Sequence, residues 1–189
     1  MFMKVFDTEC QALEQVTRVL QSIKESGRTL KGRPVVFDID DTIIDSMSSN
    51  RNPPLCLYWR ACGLLGLSRY IVTARPDVML EDGSSNRVAT EQQLAEHGLT
   101  EYEALYLMPA DQSPDMQAAY KQDARRAIVE ATGSPILVNI GDQWSDMGML
   151  ADYSHPFGIR RPKTDKTYVG MFDDTTVLGV KLPELSREF

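Results

Sequence analysis

The chain has 189 residues, 42% hydrophobic and 25% charged, the mixture of one globular domain rather than a disordered chain. Its formal net charge of −7 repels nucleic-acid backbones and anionic membrane surfaces, so neither is an expected partner. Three cysteines, Cys10, Cys56 and Cys62, are odd in number and lack CxxC spacing, so neither a disulfide framework nor a zinc site is indicated.

The opening "MFMKVFDTEC" lacks the apolar core of a signal peptide, and no run of about 18 apolar residues follows anywhere, so a cytoplasmic, soluble protein is expected. Asp7 and Thr8 are placed to cap a helix with apolar positions at Leu13, Val16, Val19, Leu20 and Ile23, stopped by Gly27. "RPVVFDI" (33–39) reads as a buried strand, "SMSSNRNPP" as a loop and "LCLYWRACGLLG" as a short apolar helix. "SRYIVTA" (68–74) is a second buried strand. The helix around "RVATEQQLAEHG" is expected to pack through Val88 and Leu94, and "ALYLMP" (104–109) is a third strand. A helix over "MQAAYKQDARRAIVEATG" ends at Gly133, and "PILVNIGD" (135–142) is a fourth strand. "DYSHPFGI" (152–159) reads as a further strand, "RRPKTDK" (160–166) as a solvated basic loop, and "TTVLGVKL" (175–182) as a late strand.

Strands alternating with helices predict a three-layer α/β domain, Rossmann-like, around a central parallel sheet with a minimal cap. The expected organisation is a single domain over 1–189: an N-terminal helix (7–27), a core (about 33–160) and a C-terminal extension (about 160–189). In such sheets ligands gather at the carboxyl ends of the strands. Those ends carry Asp38 and Asp40, then Thr73, then Asp142 and Asp146, while Lys121 lies near the start of the helix before the fourth strand.

These residue types suit metal-assisted phosphoryl transfer. Asp38 is the candidate nucleophile, and Mg²⁺, which prefers oxygen ligands, would be held by Asp38 and Asp142 with Asp146 in support. Asp40, two residues on, can exchange a proton with the leaving oxygen and then with water. Thr73 and neighbouring backbone N–H groups, that of Ala74 among them, can bond phosphate oxygens, and Lys121 can neutralise their charge. Arg75 either pairs with an acid or touches substrate. Trp144 reads as packing beside the loop, and His97 and His155 lie outside the constellation. The spacing after Asp38 excludes an EF-hand, because Ile43 stands where that loop needs glycine.

"DIDDT", "VTAR", the isolated Lys121 and "GDQWSD" resemble, in order and spacing, the four motifs of the haloacid dehalogenase superfamily. More narrowly, "FDIDDT", "NPPL", "YIVTARP" and "NIGDQWSD" resemble its acid phosphatase branch, subfamily IIIB, which includes class B acid phosphatases and plant vegetative storage proteins. The resemblance implies Asp38 as nucleophile and Asp40 as general acid/base. It implies Mg²⁺ ligation by Asp38, the backbone carbonyl of Asp40 and Asp142, with Asp146 supporting, and phosphate held by Thr73 and Lys121. Ala74 stands where the family commonly has glycine. The expected function is a Mg²⁺-dependent phosphomonoesterase acting on small phosphorylated substrates, nucleoside monophosphates included. A phosphotransferase on the same site and a weakly active phosphate-binding or storage protein are the alternatives. The short insertions imply an open site, shielded if at all by a second subunit in a homo-oligomer.

Overall fold

The computed structural model describes residues 3–147 and 166–183. In chain order its elements are β1 (Met3–Phe6), α1 (Glu9–Glu25), β2 (Pro34–Phe37), α2 (Pro53–Leu64), β3 (Ser68–Asp77), α3 (Asn86–Glu96), β4 (Ala104–Pro109), α4 (Gln117–Thr132), β5 (Ile136–Gly141), β6 (Thr167–Gly170) and β7 (Thr176–Lys181). Two 3₁₀ turns, Pro114–Met116 and Trp144–Met147, lie just before α4 and shortly after β5.

All the strands join one sheet in the order β1-β6-β7-β5-β2-β3-β4. The five from β7 to β4 run parallel, as expected, but β6 is antiparallel to both β7 and β1, so the sheet is mixed. Two strands escape the sequence pattern for a physical reason. β1 is a four-residue edge strand with Met3 and Val5 exposed, and β6 is equally short, so neither shows the apolar run that marks a covered strand. Residues 167–181, set apart in the sequence as an extension, form β6 and β7 of this same sheet. The expected strand over 152–159, His155 and all of the basic stretch except Lys166 lie outside the described residues.

The local chemistry of the elements follows their caps. Thr8 Oγ1 accepts from the Gln11 N–H (3.2 Å) at the start of α1, and Gly27, at φ 79°, ends the turn beyond Ser26. Asn52 caps α2 ahead of Pro53 and Pro54, and its side-chain amide donates to Glu9 Oε2 (2.8 Å), tying α2 to α1. Helices cover both faces of the sheet. Val35 and Phe37 of β2 pack with Leu13, Val16 and Leu20 of α1 and with Leu55 and Trp59 of α2. Val36, between them, packs on the other face with Tyr120, Ala124 and Ile128 of α4. Burial of such side chains contributes about 1.5–3 kcal/mol each. One expectation for α3 fails: Val88 is 56% exposed, and Thr90 with Leu94 forms the inward stripe instead.

From β2 the chain moves outward through β3 to β4, then returns across the sheet to β5 on the opposite side of β2. That reversal is the topological switch point at which open α/β sheets leave a crevice at the carboxyl ends of neighbouring strands. Among the described residues, three connections that rise over this edge, 38–52, 78–85 and 110–116, hold nothing longer than the 3₁₀ turn Pro114–Met116.

Candidate active site

Asp38 follows β2 directly, and its N–H continues the ladder to the Ile140 carbonyl (3.0 Å). The next residues wrap around the Ile39 carbonyl, which accepts from the N–H groups of Thr42, Ile43 and Ile44 at 3.2, 2.9 and 3.0 Å. Ile39, Ile43 and Ile44 are fully buried and pin this turn to the core. Asp41 adopts a left-handed φ of 59°, which aspartate tolerates better than most residues, and its Oδ1 accepts from the N–H and hydroxyl of Ser46 at 3.0 and 2.7 Å. Asp45 Oδ1 accepts from the N–H groups of Met47 and Ser48 at 2.8 and 2.9 Å.

Asp142 follows β5, and Asp146 lies in the turn Trp144–Met147. Gln143 links them: its N–H donates to Asp146 Oδ2 (2.8 Å) and its side-chain amide to Asp142 Oδ2 (2.6 Å). The Asp146 carbonyl accepts from Asn139 Nδ2 (2.5 Å) and from Arg125 Nη1 (2.7 Å), and Arg125 is held in turn by Asp173 at 3.3 Å. Gly141 completes the arrangement, since any Cβ there would overlap the Asp146 side chain.

The sheet thus brings Asp38, Asp142 and Asp146 together, all buried, with one oxygen of each within 4.8 Å of the others. Lys121, 2% exposed on α4, donates from Nζ to Asp38 Oδ1 (2.8 Å) and to Asp146. Thr42 Oγ1 lies 3.4 Å from both Asp38 Oδ2 and Asp142 Oδ1. Three carboxylates share one ammonium, and their proton affinities register the shortfall. Burial, with Asp146 and Asp142 nearby, pushes the Asp38 carboxyl well above the ordinary range although Lys121 opposes it. Burial first and Asp146 second push Asp142 up to about 7. For Lys121 burial acts the other way, but the adjacent Asp146 and Asp38 outweigh it and raise its pKa above the usual value.

An all-oxygen donor set with too little positive charge fits a hard divalent cation, which would supply the missing charge. The linkage has a definite sign. A carboxyl raised from 3.8 to about 7 on folding holds a proton that the unfolded chain releases, so cation-free stability falls as pH rises through that window. Below it, protons compete with the cation for the same oxygens. Melting curves with and without MgCl₂ should therefore show a larger cation-induced rise at about pH 8 than at about pH 5; equal rises would count against cation binding at these acids.

Thr73, 1% exposed, accepts at Oγ1 from the Arg75 N–H (3.3 Å). Ala74 lies where the register of β3 with β4 shifts between Thr73 and Pro76, an irregularity that disturbs the backbone pairing beside Thr73. The carboxylate of Asp40 is not among the acid triad. It is gripped by Arg75, with Nε to Oδ2 at 2.9 Å and Nη2 to Oδ1 at 2.7 Å, so of the two readings of Arg75 the structure shows the acid pair. Trp144 packs against Tyr168 and Phe172, ring centroids 5.6 and 6.0 Å away, as expected of a packing residue.

Thr42, Arg125, Asn139 and Gln143 hold this site together without a role among the sequence expectations. Signals for them existed: Thr42 closes "DIDDT" and Gln143 lies within "GDQWSD". Asn139 is the polar interruption in the apolar run of β5, and Arg125 stands four residues beyond Lys121, on the same face of α4.

A buried acid triad and lysine at the switch point of a mainly parallel sheet define an α/β protein whose oxygen cluster is compatible with a divalent cation. Residues 62–168, more than half of the chain, match the family described as HAD superfamily, subfamily IIIB (Acid phosphatase), and the chain belongs to that family. The matched stretch contains Thr73, Lys121, Asp142 and Asp146. No curated protein matches the chain. Among solved structures, the class C acid phosphatase from Bacillus anthracis is similar with a TM-score of 0.51 and 19% identity, over 72% of this chain and 62% of that one, a likeness of fold. Among the described residues no helix is long and apolar enough to cross a membrane.

Proposed function

We propose that this chain is a phosphomonoesterase that transfers the phosphoryl group of a small ester, a nucleoside monophosphate among the candidates, to Asp38 and then to water. The observation that carries this reading is the placement of Asp38 at the switch point, with one carboxylate oxygen on Lys121 and the other near Thr42, beside Asp142 and Asp146. An isolated buried carboxylate would be a poor nucleophile toward an anion, and this arrangement surrounds it with the groups that offset the repulsion.

Asp38, Asp142 and Asp146, with the backbone carbonyl of Asp40, would hold Mg²⁺, which when bound supplies the charge that lets an anionic ester approach anionic acids. An Asp38 oxygen attacks phosphorus, forming an acyl phosphate as the ester P–O bond breaks. Asp40 gives its proton to the departing oxygen. In the second step it takes a proton from water, whose oxygen attacks phosphorus and frees Asp38. Lys121 neutralises charge on the transferring oxygens, and Thr73 with the Ala74 N–H orients them.

Phosphate release should be measured on a panel of aryl, nucleotide and sugar monoesters, with Mg²⁺ and after exhaustive chelation with EDTA. Release that needs the cation and returns when Mg²⁺ is restored is expected. Release that survives complete metal removal would overturn the cation's part, and no release from any ester would overturn the esterase reading itself.

A further inference from the structure

Arg75 leaves β3 at its irregularity with β4, and four of its five N–H groups are committed to protein oxygens. Nε and Nη2 grip both oxygens of Asp40, while Nη1 donates to Gln93 Oε1 (2.7 Å) and Thr90 Oγ1 (3.3 Å) on α3. The guanidinium is planar and rigid, so an arginine fixed at one edge by α3 presents a fixed fork at the other. Thr90, 1% exposed, roots that fixed edge in the protein interior. The pair itself sits at the rim, with the Arg75 and Asp40 side chains 18% and 36% exposed.

We propose that Arg75 is a positioning residue for Asp40, and that α3, through Gln93 and Thr90, sets the direction in which Asp40 exchanges its proton. Of a carboxylate's roughly four lone-pair sites, the fork takes two. The remaining two have a fixed orientation, and the proton passes through one of them to the leaving oxygen and back from water. With so little donor capacity left, Arg75 acts on the reaction through Asp40 rather than by gripping the substrate phosphate. This inference rests on the acid/base role of Asp40 proposed above.

The test compares two esters that differ in their need for a proton. Nitrophenyl phosphate leaves as a stable phenolate, whereas glycerol phosphate leaves as a strongly basic alkoxide, so misplacing the acid harms the second far more. In Arg75→Met, kcat/KM for glycerol phosphate should fall by on the order of 10²-fold or more, and that for nitrophenyl phosphate by less than about 10-fold. Gln93→Leu, which removes an anchor and leaves the fork in place, should show the same selectivity at smaller amplitude. It carries the test if Arg75→Met fails to give a cooperative melt. Equal losses on both esters, in either variant, would overturn the proposal, because a lost phosphate contact or a loosened fold affects both alike. A wild-type chain inactive on both esters would instead overturn the underlying reading, and this assignment with it.

Discussion

Asp38→Asn should reduce turnover by on the order of 10⁴-fold or more while leaving the fold intact. The amide fills the same space and its oxygen can still accept from Lys121, so the hydrogen bond at 2.8 Å has a substitute. What is lost is the anionic oxygen that bonds to phosphorus in the proposed reaction, and neighbouring acids cannot replace it, since Asp142 and Asp146 are tied to Gln143, Lys121 and their own turn. Because Asp38 is one of three buried acids around a single ammonium, its neutralisation also relieves repulsion. Without divalent cations the variant should melt at or above the wild-type temperature. Phosphate-release rates and paired melts check both halves, and near-native turnover would remove Asp38 from its role.

Lys121→Met should be damaging in two separable ways. It strips the ammonium from beside Asp38 and Asp146 and leaves buried carboxylates uncompensated, a change that typically costs 3–5 kcal/mol, or roughly 6–20 °C in melting temperature for a chain of this size. In the proposed reaction it also removes the charge that neutralises the transferring oxygens, for a further loss of at least about 10²-fold in turnover. Added Mg²⁺ should recover much of the thermal stability by returning positive charge to the acids, but it should not recover turnover, because a cation held by the acids does not replace an ammonium that, in the proposed reaction, neutralises the transferring oxygens. Melts and rates with and without Mg²⁺ separate the two. Full catalytic recovery with the cation would show Lys121 to be a structural counter-charge only.

The stretch "VVFDIDDTIID" shows both how much the sequence revealed and where its legibility ended. Four aspartates within eight residues look like one cation-binding cluster, yet the folded chain sends them to four tasks. Asp38 alone joins the acid triad, Asp40 is bound by Arg75, Asp41 makes a left-handed turn possible, and Asp45 closes the loop that follows. Spacing singled out Asp38 and Asp40 because each stands at a strand's carboxyl end in a recurrent pattern. The partners of Asp40 were hidden because Arg75 is anchored by α3, whose rotation about its axis depends on tertiary packing. Its apolar pattern pointed to Val88, while Thr90 is the residue that turns inward. The parallel strands were legible because both their faces are covered, which makes their sequences continuously apolar. The antiparallel β1 and β6 were not, because an edge pair of four-residue strands leaves no such record.

The central claim is that phosphate passes through a covalent bond to Asp38. Its most direct test mixes the wild-type chain with a radiolabelled aryl phosphate and Mg²⁺, quenches in acid on the millisecond scale, and maps the label by peptide. An acid-stable, hydroxylamine-labile acyl phosphate is expected on the peptide carrying Asp38, absent in Asp38→Asn. Steady turnover with no label on the chain, or label on any other residue, would contradict it.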